Sequence, residues 1–192
     1  MIHIKKPYFE KVEEYMDDPN AIVVFGSNVQ GMHGAGLAKV CLNHFGAVYG
    51  QARGLQGRSY AIVTKDLSKK SHPSVDESFI LLQLNQLEQF ARQRPHNKFL
   101  VTAIGTGLAG FELDDIFDLI YETDLMNCLN VIFCKEIQEL FIQESVKGLS
   151  IQQHTASPTL DNHKEEVWHT VSPTPTNEST NQSNKIDNER NP

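Results

Sequence analysis

Short apolar runs alternate with glycine-rich and polar stretches along the chain, and the alternation predicts its elements. Residues 21–25 (AIVVF) carry no polar break, the pattern of a strand buried on both faces. Residues 59–64 (SYAIVT), 98–104 (KFLVTAI) and 129–134 (LNVIFC) read as three further strands. Residues 76–94 predict a long helix, with Phe79, Leu82, Gln86, Phe90 and Ile80, Leu84, Leu87, Ala91 on a broad apolar face and Pro95 at its end. Helices are also predicted over 34–45, over 113–125 with an acidic first turn, and over 7–16, where Phe9, Val12 and Met16 stand at helical spacing. Residues 2–4 suit a short edge strand, and the glycine-rich 46–58 reads as irregular. Strands separated by helices imply a mostly parallel central sheet in a three-layer α/β/α domain. Ligands of such sheets lie beyond the carboxyl ends of the strands.

The pattern fades after about residue 150. Residues 1–150 are expected to form one domain, large enough to bury a single core, and 151–192, rich in Ser, Thr, Asn, Gln and Pro with Trp168 as their one aromatic, a disordered polar tail. An overall hydrophobic share of 40% fits a chain only part of which builds a core. A net charge of −7 without a basic stripe argues against bulk nucleic acid as a partner. No apolar stretch is long enough to span a membrane, and the first residues lack a secretory pattern. A cytoplasmic monomer is expected, export as a pathogen effector remaining compatible with the sequence. Cys41, Cys128 and Cys134 have no metal-knuckle spacing and read as small buried hydrophobes. No metal or cofactor is expected.

Two loops carry the chemistry. The first runs from the end of the 21–25 strand through Gly26, Ser27, Asn28 and Gly31 to Gly34, Ala35 and Gly36, where a helix begins. Free N–H groups at a helix start, with its dipole, hold anions, and these small residues leave room for a phosphate. The second is Ile104, Gly105, Thr106, Gly107, Leu108, Ala109, Gly110 and Phe111. Its GxGxxG pattern, with Glu136 after the next strand, raises a dinucleotide-binding NAD-dependent oxidoreductase as a rival reading. Against that stand Glu112, Asp114 and Asp115, whose charges oppose a pyrophosphate at the following helix.

Read together, the loops resemble those of the macro domain, a module that binds ADP-ribose. Asn28 followed by Gly34-Ala35-Gly36 resembles its first element, and Ile104-Gly105-Thr106-Gly107-Leu108-Ala109-Gly110-Phe111 its second. Tyr60-Ala61-Ile62-Val63-Thr64 sits where the family has an intervening strand ending in threonine. More narrowly, GSNxxGxHGAGxA, FGAxYGxxxGLQGxSYAIxTKD and GxGLAGF are similar to a macro-like family of bacteria and phages, over roughly residues 22–134. The resemblance implies that the loops enclose a diphosphate and distal ribose, with Asn28 toward that ribose and ADP-ribose or an ADP-ribosylated molecule as partner. It departs from the pattern at Ala38, where hydrolytic members often carry aspartate, and at Ala109, where many place an aromatic ring.

If the chain cleaves an ADP-ribosyl bond, Asn28 and His33 are its candidate catalytic residues, holding a water against the diphosphate. His33 otherwise reads as a solvent-facing loop residue, His44 as structural, and Lys65-Asp66 as a ligand contact or a turn ion pair. Glu112 is a further candidate base, and Arg53 and Arg58 read as surface charge. A third reading makes the core a scaffold for a working tail.

Overall fold

The structure is a computed structural model that describes residues 7–155, with side chains through 147. The expectations for residues 2–4, for Trp168 and for the tail beyond Thr155 lie outside the described residues. Six strands form one sheet in the order β1-β6-β5-β2-β4-β3: β1 (Tyr8–Phe9), β2 (Ala21–Asn28), β3 (Gly54–Gln56), β4 (Ser59–Lys65), β5 (Lys98–Val101) and β6 (Val131–Cys134). All neighbours are parallel except β3 and β4. The helices are α1 (Gly36–His44), α2 (Glu77–Arg92), α3 (Leu113–Tyr121) and α4 (Lys135–Thr155). The chain steps from β2 to β4 on one side, then returns to β5 on the other. With right-handed crossovers, that reversal puts α1 on one face and α2 and α3 on the opposite one. α2 packs on α3, and α3 on α4, in keeping with this.

β2 is the central strand, and its unbroken apolar start is buried because β4 and β5 pair with it on either side. The two pairings differ in length. β4 accompanies β2 as far as Asn28, while β5 stops at Val101 opposite Val24. Residues 25–28 therefore have a strand on one side only. Thr102 closes the shorter ladder, its hydroxyl donating to the Val24 carbonyl at 2.8 Å. The predicted strands at 98–104 and 21–25 are thus respectively too long and too short, since strand length here is set by the partner.

The helix expected over 7–16 is not formed. Tyr8 and Phe9 pair instead with Phe133 and Cys134 at the edge of β6, and only a 3-10 turn, Val12–Tyr15, follows. Phe9 and Val12 are buried, so the apolar spacing was real, but an open sheet edge claimed the backbone first. Within 46–58, β3 forms a tight hairpin with β4. The helix predicted over 113–125 ends at Tyr121, and a 3-10 turn, Leu125–Asn127, completes the stretch. α4, not foreseen, starts directly at Lys135 and runs to Thr155, the last described residue. No described helix is long and apolar enough to cross a membrane. None of the three cysteines is in a disulfide, all are buried, and burial pushes the Cys41 and Cys134 thiols up to about 12.

Three side chains of α2 depart from its expected amphipathic face, among them Gln86, exposed where the pattern placed it toward the core. Leu82, placed on the core face of α2, is half exposed, while its neighbour Gln83 is buried. Gln83 accepts from Val63 N at 2.8 Å and donates to Val63 O at 3.1 Å. β3 ends opposite Ala61, so the amide takes the place of a missing strand at Val63. Gln83→Leu keeps the bulk and strands both backbone groups. It is expected to lower stability in urea unfolding by about 3 kcal/mol. Arg58 is likewise no free surface charge. It donates to the carbonyls of Asp18, Met16, Tyr15 and His44 and lies over the Phe45 ring, joining the N-terminal turn to the end of α1.

Candidate functional site

The reversal of chain direction at β2 leaves a crevice where the β2 and β5 loops diverge, which is where open parallel sheets bind ligands. A cleft of about 450 Å³ lies there. Three segments line it: Gly26, Ser27, Asn28, Met32 and Gly34 through Ala38 on one side; Thr102 through Gly105 with Gly107, Leu108 and Ala109 on the other; and Thr64, Lys65 and Leu67 between them. The loops approach closely because Gly26 has no side chain. A Cβ there would lie 3.1 Å from Thr64 Oγ1 and 3.2 Å from Gly105 N.

The first loop leads into an uncapped helix. Ala35 is the N-cap of α1, extended, and no side chain bonds to the first turn. A Cβ on Gly34 or Gly107 would meet nothing within 4 Å, so both sides of the cleft are open at these glycines. Among the described residues Lys65 is the one charged side chain in the lining, and its Nζ donates to the Leu108 carbonyl at 2.6 Å. Gln30 ties the other way, donating to Asp66 and accepting from Leu67 N. The β4–α2 connection is thereby fastened to both glycine loops as a third wall. Hydrogen bonds from Gln30, then Ser68, hold the Asp66 carboxyl down at about 2, and no ion pair joins it to Lys65.

The predicted site residues divide. Of the second loop, Ile104, Gly105, Gly107, Leu108 and Ala109 line the cleft, whereas Thr106, Gly110 and Phe111 do not. Thr106 folds its hydroxyl onto the Ala103 carbonyl, Phe111 is buried beneath the loop, and Gly110 packs against His72. Asn28 lines the cleft, but both ends of its amide grip the Met32 backbone, at 2.7 and 2.9 Å. That clamp shapes the loop. His33 is neither solvent-facing nor part of the lining. It is fully buried, with its Nε2 2.9 Å from Ser27 Oγ and its ring set edge-on to Phe25. Asn28 and His33 are therefore not brought together around a water position. Glu112 stands outside the cleft, where it and Asp115 form a capping box at α3. Glu136 lies in the first turn of α4 and is not among the lining residues. His44 is exposed at the end of α1.

Met32, Leu37, Leu67, Thr102 and Ala103 were not anticipated. Thr102 and Ala103 were read as strand, and the early end of β5 turns them into wall. Nothing in the local pattern marks Met32 or Leu67, half-exposed apolar residues at the rim.

Burial lowers the His33 pKa below the usual 6.5. The unfolded chain then binds the proton more readily, so this contribution to stability is complete above about pH 6.5 and is lost as pH falls below it. Urea midpoints measured between about pH 5 and pH 8 are expected to fall more steeply toward acid in the wild type than in His33→Gln.

No family model and no curated protein matches the chain. By fold, it is similar to a protein of unknown function from Bacteroides thetaiotaomicron, with a TM-score of 0.51 and 15% identity over 69% of this chain and 98% of that one. The macrodomain of Mycobacterium tuberculosis DarG is also similar, at a TM-score of 0.47 and 15% identity over 67% of this chain and 97% of that one. So is a macrodomain variant from Oceanobacillus iheyensis, at 0.45 and 14% over 71% and 89%. The first likeness is one of α/β fold, and macrodomains, the superfamily that the two loops resemble, stand among the matches.

Proposed function

We propose that the chain binds ADP-ribose, free or attached to another molecule, with the diphosphate held between the two glycine loops. One observation carries the reading. The uncapped start of α1, at Gly34–Ala35–Gly36, shares a single cleft with Gly105, Gly107 and Ala109. Backbone N–H groups at a helix start favour an anion, and the glycines leave its approach unobstructed. Lys65 adds a cation at the edge, and the described lining residues include no carboxylate.

The same lining favours binding over cleavage. Among the described residues neither an imidazole nor a carboxylate lines the cleft to serve as a general base, Asn28 is engaged by Met32, and Ala38 stands where hydrolytic members of the macro superfamily often carry aspartate. A dinucleotide site on the GxGxxG loop is disfavoured by α3, whose first turn is already capped by Glu112 and Asp115. Calorimetric titration tests the proposal. ADP-ribose and ADP should bind, and AMP, with one phosphate, more weakly. No heat from any of these or NAD at millimolar ligand would overturn it, and tight NADH binding in preference to ADP-ribose would favour the oxidoreductase.

A further inference from the structure

Ser27 and His33 form a hydrogen-bonded pair behind the cleft, and the place of one proton decides what the pair offers. Ser27 Oγ lies 2.9 Å from His33 Nε2, and Ser27 belongs to the lining. His33 is completely buried, and its Nδ1 has no partner. A neutral imidazole carries one proton. On Nδ1 that proton would be a buried donor without an acceptor, the rarer kind of orphan. On Nε2 it is used, and the orphan is only a lone pair. The ring stays neutral near pH 7, because burial disfavours its charged form.

With the proton on Nε2, the ring donates to Ser27 Oγ, and the serine's own hydroxyl proton is left without a partner in the pair. We infer that His33 orients Ser27 to present its hydroxyl proton to the ligand, so that this point of the cleft favours an acceptor oxygen such as that of a phosphate. Ser27 is the contact. His33 is a positioning residue, held by Phe25 and never touching the ligand. The inference rests on the diphosphate reading above.

The experiment has two arms. Long-range proton–nitrogen correlation of the His33 ring, on the full chain without ligand, is expected to show a protonated Nε2 and a bare Nδ1; a proton on Nδ1 overturns the inference. Titration with ADP-ribose and with inorganic pyrophosphate then reads the contact. Ser27→Ala should weaken both about tenfold or more, the scale of one hydrogen bond to a charged group. Affinity unchanged in Ser27→Ala overturns the inference even if the ring is protonated as expected. His33→Gln, which keeps a donor amide, should bind more tightly than His33→Leu, and where His33→Leu does not fold, the ring spectrum and Ser27→Ala decide. If the wild type binds neither probe, the diphosphate reading fails and Ser27 loses its ligand role, while the spectrum still decides how the pair is protonated.

Discussion

Gly107→Glu is expected to abolish ADP-ribose binding while the domain stays folded. A side chain fits at this position: a Cβ meets nothing within 4 Å, and the backbone is outside the left-handed region. The open space is the cleft itself, so the new carboxylate would stand where the diphosphate is proposed to bind. Two like charges about 4 Å apart repel by about 4 kcal/mol at an effective dielectric of about 20. That corresponds to roughly a thousandfold in affinity. Gly107→Gln has the same bulk without the charge and should lose less, which separates repulsion from obstruction. Calorimetric titration reads the affinity, and thermal unfolding should show a midpoint within about 2 °C of the wild type, below the shift expected for a 1 kcal/mol change. Wild-type affinity in Gly107→Glu would place the ligand elsewhere.

Gly31→Ala should have the opposite profile, a large loss of stability at a position that the motif presents as one more loop glycine. Gly31 is left-handed, with φ of 68°, and a Cβ would come within 2.5 Å of the Gly50 carbonyl carbon and 2.8 Å of Gln51 N. Those neighbours are backbone and are tied to the loop, with Gly50 N donating to Gly31 O at 2.8 Å. An L-residue there costs about 1–2 kcal/mol for its dihedral, and forced overpacking adds about 1–3 kcal/mol. Urea unfolding should show a loss of about 3 kcal/mol. Binding should weaken as well, because the Asn28–Met32 clamp encloses Gly31. Gly34→Ala, with open space and an ordinary backbone, should unfold close to the wild type. Equal stability of Gly31→Ala and Gly34→Ala would contradict this account.

These two glycines show how much of the site could be read without a structure. The motif places Gly31, Gly34 and Gly107 in loops that follow strands, and the structure keeps all three there. It does not say which glycine faces a ligand and which lets two backbone segments touch. Gly31 is a glycine because of Gly50, nineteen positions on and joined to it by no local pattern. His33 is the same case in polar form. A loop histidine beside glycines suggests exposure, but Phe25 and Ser27, on the strand before it, draw the ring inside. The second loop was legible as a unit, yet Thr106, Gly110 and Phe111 turn away from the cleft because they hold the loop's own shape.

By itself the sequence determined what local pattern and composition can encode: four of the strands, the helices that separate them, the buried cysteines, and two small-residue loops at strand ends. Those features follow from apolar periodicity and from the few residues that allow a chain to turn tightly. Tertiary structure alone decided the rest. The edge of β6 turned a predicted N-terminal helix into β1, the early end of β5 beside β2 opened the cleft, and the β4–α2 connection joined the two loops through Lys65 and Gln30. Each depends on a partner distant in the chain. A backbone or side-chain group must find its hydrogen bond or its packing neighbour somewhere, and where it finds it is a property of the assembled sheet.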